Sequence, residues 1–186
     1  NPLRTGLFKA LRLLGGHIQE TGPRHVCNEP VGDLIVRGSD LRGNLTLEAA
    51  DIPAMVDEIP ILAVAGAFLD GTLTVRGAAE LRKKESDRLQ AVHDEFAKLG
   101  IAMELLDDGF VMEGNPNRKL PPPKEPLDSW GDHRIAMALS ILNLVNNYRY
   151  MPVADTQWPL HEAECVAVSY PSFFEDMARL AKVRAY

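Results

Sequence analysis

The chain has 186 residues, 46% of them hydrophobic and 25% charged, with a formal net charge of −6 and a pI near 5.4. This length and apolar content exclude a disordered chain and suffice for a globular domain with a real core. The acidic balance excludes nucleic acid and anionic membrane as main partners, since both require a broad basic face, so any anion site has to be local. Cys27 and Cys165 lie far apart without a CxxC partner and read as free thiols in a reducing compartment, with a disulfide as the lesser reading. No apolar run reaches the ~18 residues of a membrane span, and NPLRTGLFKA at the start lacks the features of a secretion signal. The expectation is a soluble, cytoplasmic protein.

In chain order, LFKALRLLGGHI (7–18) is an amphipathic helix that stops at glycine before a strand-like start. NEPVGD and RGSDLRGN punctuate a short strand, LIVRG. MVDEIPILAVAGAFLDGTLTVRG (55–77) reads as a buried helix followed by a strand and is entered by Asp57. LQAVHDEFAKLGIAM (89–103) again gives an amphipathic helix, Leu-Gly and an apolar start, after which Asp107-Asp108-Gly109 separates IAMELL from FVMEG as a hairpin turn does. NPNRKLPPPKEP (115–126) is a surface loop stiffened by three consecutive prolines; it delivers the next motif and is not expected to divide domains. HRIAMALSILNLVNNYRYMPVAD (133–155) reads as a second buried helix and strand, entered by Asp132, about 75 positions after Asp57. FFEDMARLAKVRA (173–185) closes the series as an amphipathic helix. Helices are expected to start near Asp57, Glu85, Asp132 and Pro171. The pattern is a duplicated α/β unit, too long in period for a solenoid.

Two charged clusters carry the candidate chemistry. In ELRKKESDRL the expected helix begins near Glu85 or Ser86 and places Lys84 and Arg88 one turn apart. Cations at a helix N-terminus oppose the dipole, and a bound phosphate or carboxylate relieves that conflict. The alternative is a solvated turn with ordinary i,i+4 ion pairs. In SWGDHRIAMALSIL, His133 and Arg134 stand at another helix start; a histidine there serves equally as a structural group bonded to backbone. Asp57 is a carboxylate on an apolar helix face, either capping the helix or serving as a base or a hydroxyl-binding group.

LRKKESDRL resembles the LRVKESDR signature, and GDHRIAM the DHRIAM signature, of 5-enolpyruvylshikimate-3-phosphate synthases. NPLRTG, MVDEIPILAVAGAF and VAVSYPSFF match that family in the same order, nearest its glyphosate-tolerant bacterial branch. The resemblance implies transfer of the enolpyruvyl group of phosphoenolpyruvate to the 5-hydroxyl of shikimate 3-phosphate, with release of phosphate and no metal or organic cofactor. It implies that Asp57 contacts the shikimate 5-hydroxyl as a candidate base. Lys84 and Glu85 then stand at the reacting centre, Glu85 moving a proton to or from the methylene carbon. Arg88 and Arg134 hold the phosphoenolpyruvate carboxylate and phosphate, with His133 beside them, and glyphosate is the implied inhibitor. Forked cations and acid–base groups suit such a substrate. Three positions depart from the pattern: Lys83 replaces a small apolar residue and is expected to point outward, Glu80 stands where some relatives have asparagine, and Val168 where another branch has lysine.

Members of that family are roughly twice as long and fold as two lobes of three βαβαββ units each, with the site in the cleft between. The resemblance therefore makes this chain one α/β lobe of the enolpyruvyl transferase fold with an incomplete first unit: 1–43 a remnant, 44–115 the second unit and 116–186 the third. Its partner is then the missing N-terminal lobe of the same protein, without which the chain alone is expected to be inactive. The competing reading is a non-catalytic anion-binding or scaffold module derived from the same fold.

Overall fold

A computed structural model describes residues 1–150 and 158–182 of the chain. The elements in order are α1 (Gly6–Leu13), β1 (His17–Val26), β2 (Glu29–Arg37), β3 (Leu45–Leu47), α2 (Ile59–Ala67), β4 (Thr72–Val75), α3 (Arg88–Lys98), β5 (Glu104–Leu106), β6 (Gly109–Glu113), β7 (Leu127–Asp128), α4 (His133–Tyr150), β8 (Leu160–His161) and α5 (Phe173–Lys182). From β3 to β6 the sequence of elements is βαβαββ, the order expected of the repeated unit. The chain divides into two compact units, one of residues 1–79 and 104–117, the other of residues 80–103 and 118–186. A boundary between them thus falls at 117/118, inside the proline-rich loop that was expected only to deliver a motif.

In the first unit, a four-stranded sheet in the order β3-β4-β6-β5 forms the framework. Strands β3 and β4 run parallel, with Leu45 opposite Leu73, while β6 is antiparallel to both β4 and β5. Helix α2 is apolar around its whole circumference and is accordingly buried, with Ile59, Leu62, Ala63 and Ala67 closed to solvent. Its Gly66 permits close approach: a Cβ there would lie 2.8 Å from Leu73 Cδ2 and 3.1 Å from Met112 Sδ, so the helix settles directly on β4 and β6. The β5–β6 turn is tied to the end of β4 by Asp108, whose side chain accepts from Gly77 N at 2.8 Å and whose carbonyl accepts from Ala78 N at 2.7 Å.

The hairpin β1–β2 falls on the strand-like start expected after the first helix and on the short strand expected at LIVRG, and corrects their length. Both strands are long, pair from His17↔Arg37 to Val26↔Glu29, and are almost wholly exposed. Cys27 and Asn28, both left-handed at φ 50° and 64°, make the two-residue turn that matches strand twist. NEPVGD therefore lies largely within a strand. Its polar residues gave no period-two burial signal, because neither face of the hairpin is covered.

In the second unit, α4 packs against α3, against a 3-10 segment at Ala163–Val168 and against α5. Ala136, Val166 and Phe173 form a buried cluster, with Met137, Ile141, Leu160 and Met177 around it. The proline-rich loop is anchored at Leu120, which is buried; its N–H donates to Asn146 Oδ1 at 2.9 Å and its carbonyl accepts from Asn146 Nδ2 at 3.1 Å. The helix starts fall at Ile59, Arg88, His133 and Phe173, close to those expected. One differs in consequence: α3 begins at Arg88, because Asp87 caps it by accepting from Gln90 N at 3.0 Å, so Lys84 is not on the helix. The residues 151–155 that end the expected helix-and-strand segment 133–155, and the end of the last helix beyond 182, lie outside the described residues. Among the described residues no helix is long and apolar enough to cross a membrane.

Leu73, fully buried between the strand and Gly66, reports this packing. Leu73→Ala is expected to lower stability by about 3 kcal/mol, read as a lower urea midpoint at unchanged slope.

Candidate active site

The two charged clusters meet in a buried ion pair in the second unit. Arg88 opens α3 with its side chain 1% exposed, and Asp132 immediately precedes α4 with its side chain fully enclosed. Arg88 Nε donates to Asp132 Oδ2 at 2.7 Å and Nη2 to Oδ1 at 3.3 Å, a forked contact. Nη2 also donates to Glu85 Oε2 at 2.7 Å. Asp132 accepts further from Ser86 Oγ at 3.1 Å and from Arg134 N at 2.8 Å, so one carboxylate caps α4 and neutralises Arg88. Burial pushes the Asp132 carboxyl upward, but the Arg88 guanidinium, the Arg134 N–H, the Arg88 charge and the Ser86 hydroxyl together hold it below the usual carboxylate range.

Two further cations of the cluster, Arg82 and Lys84, also have acidic partners. Arg82 Nη1 donates to Asp87 Oδ2 at 2.7 Å, and Lys84 Nζ to Glu80 Oε1 at 2.8 Å. Mutual repulsion of unbalanced cations at a helix start, expected from the sequence, is thus corrected: Glu80, Asp87 and Asp132 balance them locally. Lys83 is exposed, as its departure from the family pattern suggested. Glu85 is half exposed, while Lys84, His133 and Arg134 are partly exposed. The arrangement offers solvent-reachable cations beside a carboxylate, with Arg88 fixed behind them.

The segment before Asp132 is held in an uncommon conformation. Trp130 and Gly131 are both left-handed, at φ 57° and 64°, a costly state for a large side chain. Buried Glu95 of α3 accepts from Asp128 N at 2.9 Å and from the Trp130 indole Nε1 at 3.1 Å, while Lys98 Nζ supplies its counter-charge at 2.8 Å. Trp130 N donates to Asp128 Oδ1 at 2.7 Å, and Gly131 N to Ser129 Oγ at 3.2 Å. Neither Glu95 nor Asp132 was recognised from sequence as a partner. The available signal was a carboxylate between Val92 and Phe96, on the buried stripe of α3.

Asp57 belongs to the first unit, in the 3-10 turn Val56–Glu58 that leads into α2. It accepts from Arg4 Nη2 at 2.8 Å. Among the described residues, no group of three or more His, Cys, Asp or Glu is placed to hold a metal ion.

Removing one side of the buried pair strands the other. Asp132→Ala is expected to destabilise the chain by about 3–5 kcal/mol in urea unfolding. Because the folded carboxyl sits below its unfolded value, its contribution is full above the unfolded value near pH 4 and is lost as pH falls through the folded one. Asp132→Asn is expected to remove that part of the acid limb from a stability–pH profile.

The family model described as EPSP synthase (3-phosphoshikimate 1-carboxyvinyltransferase) matches residues 1–177. The 3-phosphoshikimate 1-carboxyvinyltransferases of Aquifex aeolicus and Carboxydothermus hydrogenoformans are 39% and 43% identical over 182 residues, covering 98% of this chain and 39% and 40% of theirs. A solved EPSP synthase from Acinetobacter baumannii superposes with a TM-score of 0.79 at 34% identity, over 97% of this chain and 39% of that one. The chain thus spans about 39% of the length of the relatives it matches, and within that span it belongs to the EPSP synthase family.

Proposed function

We propose that this chain provides the phosphoenolpyruvate-facing part of an enzyme that transfers an enolpyruvyl group to shikimate 3-phosphate, in the pathway to the aromatic amino acids. The observation that carries the reading is the joining of the KESDR and DHR clusters by Arg88 and Asp132, which gathers Glu85 and Arg134 around one buried pair. Lys84 and Arg134 are the solvent-reachable substrate-binding cations in this reading, and Arg88, enclosed behind them, completes the cationic set. His133 stands beside them, at the start of α4. Asp57 contacts the attacking 5-hydroxyl. The hydroxyl oxygen gives its proton to Asp57 and bonds to the substituted carbon of phosphoenolpyruvate as Glu85 delivers a proton to the methylene carbon. Return of a methyl proton to Glu85 and departure of phosphate, with the Asp57 proton released to phosphate or solvent, restore the double bond.

Because the chain spans 39% of its relatives' length, the reaction is assigned to the whole enzyme, with a second lobe as partner completing the cleft and gripping shikimate 3-phosphate. Glyphosate, an anion carrying a carboxylate and a phosphonate, is the expected competitor for the same cations. Exposed Cys27 and partly buried Cys165, both unpaired as thiols, fit a cytoplasmic location.

The test is a thermal melt with increasing phosphoenolpyruvate. A ligand-dependent rise of several degrees is expected at saturation, diminishing with salt. Lys84→Met and Arg134→Ala should reduce the rise; Arg88→Ala is a poor probe, since it leaves Asp132 buried without its guanidinium. Phosphate release from phosphoenolpyruvate and shikimate 3-phosphate by the whole enzyme tests the reaction, and its absence under all conditions favours the scaffold reading.

A further inference from the structure

The NPLRTG segment has a match in the family but no role in the reading above, and its geometry points to one. Asn1 Oδ1 accepts from Leu3 N at 3.0 Å, and the Asn1 carbonyl accepts from Arg4 N at 3.0 Å, closing a 3-10 turn over Pro2–Arg4. Thr5 then opens α1, its carbonyl accepting from Phe8 N and Lys9 N. At Gly6 the segment lies against the backbone before Asp57: a Cβ there would come within 2.9 Å of both the Ala54 carbonyl oxygen and Met55 Cβ. Only glycine permits that approach without displacing one side. The turn thereby aims Arg4 at the acidic pair that follows Met55. Its Nη2 donates to Asp57 Oδ2 at 2.8 Å and to Glu58 Oε1 at 3.3 Å.

An ion pair with Arg4 46% and Asp57 22% exposed adds little to stability. Orientation is a different matter. Two adjacent carboxylates repel each other, and one guanidinium bridging both fixes the direction in which Asp57 presents its oxygens while favouring its ionised form. We infer that Arg4 is a positioning residue for Asp57, holding it aimed and charged, and that the NPLRTG turn exists to deliver this contact. Among the described residues, Arg4 reaches Asp57 from the turn before α1, and the same guanidinium also holds Glu58 of Asp57's own turn. The assignment rests on the reading of Asp57 as the group that meets the substrate hydroxyl.

The test reads the Asp57 carboxyl directly, by carbon-13 NMR titration of the chain without substrate. Its outcome is therefore independent of whether the phosphoenolpyruvate melt succeeds. In Arg4→Gln the Asp57 midpoint should rise by about half a pH unit or more. Arg4→Lys, which keeps the charge but lacks the fork, should return it at least halfway. An Arg4→Gln chain whose Asp57 titrates with the parent overturns the proposal. So does one that loses its fold, since the arginine is then structural, and so does a lysine variant that titrates like the glutamine one.

Discussion

The buried contact between Arg88 and Asp132 is the constraint on which the candidate site depends. An enclosed ion pair contributes little net stability over an apolar equivalent, because desolvation offsets most of the attraction. It does impose geometry, since neither charge can remain buried without the other. Arg88 opens one helix and Asp132 caps the next, so satisfying the pair brings two helix starts, 44 residues apart, to one point. Everything proposed for the second unit's chemistry follows from that juxtaposition: Glu85 is drawn in by the same guanidinium, and His133 and Arg134 are displayed by the helix that Asp132 caps.

Around this pair the structure uses carboxylates to hold backbone in place. Glu95 acts through two N–H donors to support the left-handed Trp130–Gly131 step, with Lys98 balancing its charge. An unsupported tryptophan at positive φ is strained; here the indole that makes the residue bulky also supplies a bond that keeps it there. In the first unit the same device takes a more exposed form, with Arg4 spanning Asp57 and Glu58. The difference in burial carries a difference in role. The enclosed pair fixes architecture, whereas the wet one governs how a single carboxylate is presented.

The charged run at residues 82–88 shows how local composition admits two readings that only partners separate. Read as a line, four cations beside two acids suggest a vacancy for an anion. In the folded chain Arg82, Lys84 and Arg88 each meet a carboxylate. The anion binding proposed for this site is then an exchange, in which an incoming phosphate or carboxylate competes for cations already held in place. Such a pre-balanced site keeps its cations oriented before the ligand arrives, and orientation in advance reduces the entropy lost on binding.

The sequence by itself determined the α/β class, the places where helices begin and the family, because these rest on local signals. Apolar periodicity marks α1 and α3, continuous apolar runs mark α2 and α4, and the KESDR and DHR motifs are contiguous strings. The proposed site residues Lys84, Glu85, Arg88, His133 and Arg134 were legible as motif members for the same reason, and the order from α2 to β6 followed from counting helices and turns. The partnerships were not legible. Asp132 was read only as the residue entering α4 and proved to be also the counter-ion of Arg88; Glu95 and Arg4 carried no reading as partners at all. The length and pairing of the hairpin β1–β2 escaped as well, since strands exposed on both faces leave no alternating pattern to read. Only the tertiary structure decided these, because an ion pair is selected by distance in space, and residues 44 or 53 positions apart carry no mark of which will meet.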